Sequence, residues 1–213
     1  MTISSTDLAA LLCSRLCHDM LSPVGALNNG LELLRGEKDP EMRKQCIELL
    51  ERSAQTSAAK LKFFRLAFGA AGGYGQHVQT DEPRSLLEAL VAANDRVEFN
   101  WAVNADELPK PAVKVLLNLA AIGLDALPRG GTLDVGAEVR DGATEIAVRA
   151  AGPKIAFDPD IGRALDGKLA ESELSGRTAP AWMIHLIAQE TGGGLQYALG
   201  EDALVMGAVL PVS

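Results

Sequence analysis

Leu11-Leu12-Cys13-Ser14-Arg15-Leu16-Cys17-His18-Asp19-Met20-Leu21-Ser22-Pro23-Val24-Gly25-Ala26-Leu27 is the stretch from which the fold is read. At about 100° per residue, Leu16, Met20, Val24, Leu27, Leu31 and Leu34 fall on one stripe of an α-helix, and His18 points to the opposite side. Around it on that outward face stand Ser14, Arg15, Ser22, Gly25 and Asn29, which leave the imidazole approachable by a macromolecule. The helix is expected from an N-cap at Thr6 to Arg35, roughly 45 Å long. Pro23 removes one backbone donor within it, so a bend is expected one turn after His18.

Gly36 suits the stop of this helix, and Asp39-Pro40 suits the start of the next. The second helix carries Ile47, Leu50, Ala54, Ala58, Leu61, Phe64 and Phe68 at steps of three or four. Two such helices make an antiparallel hairpin that cannot cover both apolar stripes alone. A second copy would close a four-helix bundle across a two-fold axis, so a homodimer is expected.

The periodicity then changes. Gly69-Ala70-Ala71-Gly72-Gly73-Tyr74-Gly75 reads as a linker. Beyond it a helix follows Pro83, then a strand with Val97, Phe99, Trp101 and Val103 on one face, then a helix over about 110–127. Two alternating runs hinge at Asp141-Gly142 as a hairpin, and a last helix from about Ala181 to Glu190 precedes strands near Leu195–Tyr197 and Leu204–Leu210. The expected class is α+β, with helices on one side of a mixed or antiparallel sheet. The expected units are a helical hairpin over 1–70, a linker over 71–82 and a sheet-bearing domain over 83–213.

Charge and composition narrow the function classes. Residues 1–70 hold nine Lys/Arg and eight Asp/Glu, which out of totals of 20 and 28 leaves 11 against 20 for the rest. So acidic a remainder disfavours a nucleic-acid surface. No window carries the roughly 18 consecutive apolar residues that span a bilayer, and Met1-Thr2-Ile3-Ser4-Ser5 is no signal peptide; a cytoplasmic protein off the membrane is expected. Cys13, Cys17 and Cys46 make no disulfide framework, and helix packing is expected for the first two. Neither they nor His18 have a fourth ligand nearby for a structural zinc site. His77 and His185 read as structural or exposed, and Lys60, Lys62 and Arg65 as a solvated helix end.

His18-Asp19-x-x-Ser22-Pro23 on an outward helical face resembles the phospho-accepting box of sensor histidine kinases, departing at Leu21, where those kinases usually carry a basic residue. The order of hairpin, linker and α/β part matches their dimerisation and ATP-binding domains, so the second unit is expected as an α/β-sandwich ATPase-like domain. Asn118 through Gly131 resembles the kinase asparagine box, but Ile122 stands where a second asparagine would ligate Mg²⁺. Val148 through Ile155 resembles the first glycine box, with Ala150 in place of the adenine-recognising aspartate and Lys154 in place of a glycine. Arg177-Thr178-Ala179-Pro180 lacks the glycines of the second box.

Fold signals without nucleotide contacts resemble the ChpT-type histidine phosphotransferases of alphaproteobacterial phosphorelays. The resemblance implies a homodimer that accepts phosphate from the receiver domain of a hybrid histidine kinase, CckA-like, and passes it to CtrA-like and CpdR-like response regulators without using ATP. His18 is then the expected nucleophile and Asp19 its helper, and Arg15, Leu21, Ser22, Gly25 and Asn29 are candidates for the receiver interface. With no acidic cluster near His18 the chain itself is expected to hold no cofactor or metal, and Mg²⁺ is assigned to the receiver partner. Two other readings use the same residues: an active histidine kinase with a divergent ATP site, and a non-enzymatic dimeric scaffold that binds receivers.

Overall fold

A computed structural model describes residues 3–69, 75–92 and 94–212. The first helix, α1 (Ser5–Gly36), is capped by Ser4 rather than Thr6, because Ser4 has extended backbone angles and its hydroxyl accepts from the amide of Asp7 at 3.1 Å. It runs unbroken through Pro23. Asp39 caps α2 (Pro40–Ala67), its carboxylate accepting from the Glu41 amide, with Pro40 at the position where a missing N–H costs nothing.

The two helices pack as a hairpin, and small residues share its seam with members of the expected stripes such as Leu50. Pro23 and Gly30 are buried on α1, and on α2 Cys46, Ser53 and Ser57, ahead of Phe63, Phe64, Leu66 and Ala67 at its end. Small residues let the backbones approach: a Cβ on Gly30 would stand 2.9 Å from Cδ2 of Leu50. Ser57 satisfies its buried hydroxyl on the Ser53 carbonyl at 2.8 Å. Val24, Leu31, Ile47 and Leu61 of the two apolar stripes are exposed, as expected of a lone hairpin that cannot cover both. Periodicity locates an apolar face, whereas the closest-fitting residues choose which edge of it meets the partner helix.

Of the glycine-rich segment, residues 70–74 lie outside the described residues. Its described continuation contains a short strand, β1 (His77–Gln79), and the start of α3 (Asp81–Val91), two residues ahead of Pro83. Next come β2 (Val97–Asn104), β3 (Glu107–Pro109), α4 (Lys110–Asp125), β4 (Gly131–Arg140), β5 (Ala143–Ala151), α5 (Pro159–Leu165), α6 (Ala179–Glu190), β6 (Gly194–Leu199) and β7 (Ala203–Pro211). Strands β1, β3 and helix α5 are too short to leave a periodic signal in the sequence.

A five-stranded sheet has the order β2-β4-β5-β7-β6, with β2 and β4 parallel and the other neighbours antiparallel. Strands β1 and β3 form a separate antiparallel pair. The β4–β5 hairpin turns at Asp141 (φ 51°) and Gly142 (φ 77°), the left-handed pair that a two-residue hairpin requires. On the covered face Leu133, Val135, Val148, Leu204 and Met206 are buried against Val113, Leu116, Leu117 and Ile184 of α4 and α6. The opposite face carries Asn100, Asp134 and Arg149, cross-linked through the Asp134 carboxylate. All the covering helices lie on one side of this sheet, the α+β layering. Phe63, Phe64 and Leu66 near the end of α2 join the same core, so the hairpin is anchored in the sheet-bearing part.

Candidate functional site

His18 stands on α1 with its side chain 82% exposed. Its Nδ1 lies 3.1 Å from Oδ1 of Asp19. A carboxylate only accepts, so in the neutral ring this contact favours the proton on Nδ1 and leaves the Nε2 lone pair free on the exposed side chain. The other Asp19 oxygen, Oδ2, accepts from Nε of Arg15 at 2.7 Å. Both oxygens of this carboxylate, which is only 18% exposed, are therefore engaged.

The sequence reading set Arg15 beside the imidazole as a free contact for a visitor. The structure turns its guanidinium inward: one nitrogen holds Asp19 and Nη2 donates to Oδ2 of Asp125, at the end of α4, at 3.1 Å. Burial works against the charge of Arg15, but Asp125 and Asp19 together outweigh it and raise its pKa above the usual guanidinium value. Lys60 of α2 reaches across the hairpin to donate from Nζ to the main-chain carbonyl of Asp19 at 3.0 Å. Its assignment to a solvated helix end is thus corrected; Arg65, which pairs with Glu82, and Lys62 remain exposed. Neither Lys60 nor Asp125 carries a sequence signal, since the contacts join positions 41 and 110 residues apart.

Around the imidazole, Ser14, Ser22 and Asn29 are exposed and Leu21 is 71% exposed. Gly25 has open space where a Cβ would be. Cys13 and Cys17 are exposed, not packed as expected, and Cys46 is buried. His77 is exposed on β1, while His185 sets its Nδ1 3.0 Å from the Leu165 carbonyl. Among the described residues there is no group of three His, Cys, Asp or Glu placed to hold a metal ion.

The face of α4 that resembles the kinase asparagine box meets α2. Nδ2 of Asn118, only 2% exposed, donates to the Lys114 carbonyl at 2.8 Å and to the Ala67 carbonyl at 3.4 Å. A cavity of about 170 Å³ lies between hairpin and sheet-bearing part, lined by Arg15, Asp19, Phe64, Phe68, Ile122 and Asp125 among others. The Phe64 and Phe68 rings stack in that wall with centroids 5.3 Å apart. Ala150 is fully buried in β5, and Lys154 is exposed. At the start of α6 the amides of Thr178 and Ala179 donate to the Ser175 carbonyl at 3.1 and 2.9 Å, so they close a turn of the chain itself.

Three comparisons bear on this arrangement. The histidine phosphotransferase C-terminal domain family matches residues 80–203. Protein phosphotransferase ChpT of Brucella abortus (strain 2308) is 37% identical over 203 residues, covering 94% of this chain and 95% of that one. A bacterial phosphotransferase solved at 1.7 Å superposes with a TM-score of 0.85 at 34% identity, covering 98% of each chain. At the level of fold alone, the histidine kinase domain of a blue-light-activated kinase from Erythrobacter litoralis aligns with a TM-score of 0.50 at 11% identity, over 89% of this chain and 96% of that one.

Proposed function

The chain belongs to the histidine phosphotransferase family, in its ChpT type, and from that premise we propose that it relays phosphoryl groups between receiver domains through His18. The observation that carries this reading is the pairing of an open Nε2 with an Nδ1 held by Asp19. In uptake, Nε2 attacks the phosphorus of a receiver aspartyl phosphate; the N–P bond forms as the acyl O–P bond breaks, and the leaving electron pair stays on the receiver carboxylate. The Nδ1 proton remains on the ring, where the Asp19 carboxylate stabilises the positive charge that develops. Onward transfer is the same step in reverse to a second receiver aspartate. Mg²⁺ and in-line geometry would come from the receiver and its acidic site.

Ser22, Gly25, Asn29 and Leu21 form the surface that would meet the receiver, small or projecting groups that leave room at Nε2. Arg15 contributes from beneath that surface. A homodimer follows from Val24, Leu31, Ile47 and Leu61, large apolar residues that the single hairpin leaves in water.

Against use of ATP stand Ile122 in place of a magnesium ligand, Ala150 in place of an adenine acceptor, the Asn118 amide committed to main-chain carbonyls, and the Ser175–Ala179 turn that ties up the amides of Thr178 and Ala179. Mixing the protein with a phosphorylated receiver should place acid-labile phosphate on it, and His18→Ala should abolish both uptake and onward transfer while the folded protein persists. Transfer retained in His18→Ala would overturn the assignment. Labelled ATP with Mg²⁺ alone should leave the protein unlabelled; labelling would mark it as a kinase.

A further inference from the structure

Arg15 and Asp19 are separated by four positions on α1, with the cation nearer the N-terminus. That order is the less favourable one for a helical ion pair, and an exposed pair of this kind contributes little by itself. Yet the Nε–Oδ2 distance is 2.7 Å and both side chains are largely shielded, at 25% and 18% exposure. What holds Arg15 in place comes from the other half of the chain: the carboxylate of Asp125 takes its Nη2 at 3.1 Å. One turn earlier the loop before α6 lies against the same helix, since a Cβ on Gly176 would stand 3.3 Å from the amide nitrogen of Arg15 and from the carbonyl oxygen of Leu11. Lys60 fixes the main chain of Asp19 from α2.

We propose that the sheet-bearing domain acts on the relay chemistry through Asp125, a positioning residue that sets the His18 ring by way of Arg15 and Asp19. The sequence of contacts is continuous: Asp125 Oδ2 to Arg15 Nη2, Arg15 Nε to Asp19 Oδ2, Asp19 Oδ1 to His18 Nδ1. Asp125 sits at the opposite end of that line from the imidazole and takes no part in bond making. Its carboxylate fixes the guanidinium fork, the fork fixes the plane of the Asp19 carboxylate, and that plane holds the proton on Nδ1 and aims Nε2 outward. A domain with an ATPase-like fold thereby serves as the clamp of the phosphoacceptor. Movement of that domain away from α1 would release Arg15, and with it the preferred tautomer.

This inference rests on His18 as the transfer residue, and its test keeps the two apart. The full-length protein carries Asp125→Asn, Arg15→Gln, both together, or Asp125→Glu. Phosphate uptake from a phosphorylated receiver is followed at saturating and subsaturating receiver, and ¹⁵N NMR reads the protonated nitrogen of His18 without any receiver. Asp125→Asn should slow uptake at saturation by about tenfold with receiver affinity unchanged, as expected for loss of orientation alone. The Nδ1-protonated signal should decline in parallel. The double variant should be no slower than Arg15→Gln, because Asp125 acts through Arg15, and Asp125→Glu should recover most of the rate. Unchanged uptake and tautomer in Asp125→Asn, additive losses in the double variant, or a loss confined to receiver affinity would each overturn the proposal. A wild-type protein that takes up no phosphate would defeat the transfer reading, while the NMR comparison would still decide the positioning.

Discussion

The two ring nitrogens of His18 have different surroundings, and the proposed transfer rests on that asymmetry. Nδ1 faces Asp19 and Nε2 faces solvent. Asp19→Asn keeps the shape but offers an amide that can donate as well as accept, so the preference for the Nδ1 tautomer weakens. Phosphate uptake should fall by about 10²-fold, within the usual range for a positioned proton-holding group, read by rapid quench with a labelled receiver. Arg15→Lys should not rescue that geometry, since an ammonium cannot span Asp19 and Asp125 with a planar fork. At this scale His18 and Asp19 were legible as a motif because they are neighbours in the chain. Lys60 and Asp125 were not, because their contacts exist only after the hairpin closes and α4 arrives beside α1.

Among the elements, the hairpin depends on small residues at its seam. Gly30 faces Leu50 closely, so a branched side chain there must displace the Leu50 side chain from the seam; Gly30→Val should cost about 1–3 kcal/mol, seen as a lower urea midpoint. Helix α4 shows a different strain. Burial, and then the neighbouring Lys110, lower the pKa of Lys114 below its ordinary 10.5. Because the folded state disfavours the charged form, the unfolded state binds more protons between the lowered value and 10.5. Stability from this group therefore rises with pH across that window, and the penalty is complete below it. The stability difference between wild type and Lys114→Gln, followed by denaturant titration, should narrow in favour of wild type as pH climbs towards 10.5. Helix and strand order was readable from period changes, since α4, β4 and β5 are long and amphipathic or buried. The β1–β3 pair was not, because three-residue strands are defined by their partner and not by a pattern.

For the whole molecule, Val24, Leu31, Ile47 and Leu61 are exposed, and the proposed homodimer would cover them. Charged substitutions at Leu31 and Ile47 together should shift sedimentation from dimer to monomer at micromolar concentration, while circular dichroism retains the helical signal. The sequence by itself determined that a helical hairpin bearing an outward His18 precedes an α+β domain, and its resemblance to the kinase boxes set Ile122, Ala150 and Lys154 where those boxes carry other residues. Both are local properties, carried by hydropathy period and by residue type at fixed spacing. Only the tertiary structure decided which edge of each stripe meets its partner, that Arg15 faces inward between Asp19 and Asp125, and that Lys60 holds the main chain of Asp19. Those outcomes depend on helix approach and on charges brought together from distant positions, and no periodicity within one segment encodes the distance between two segments.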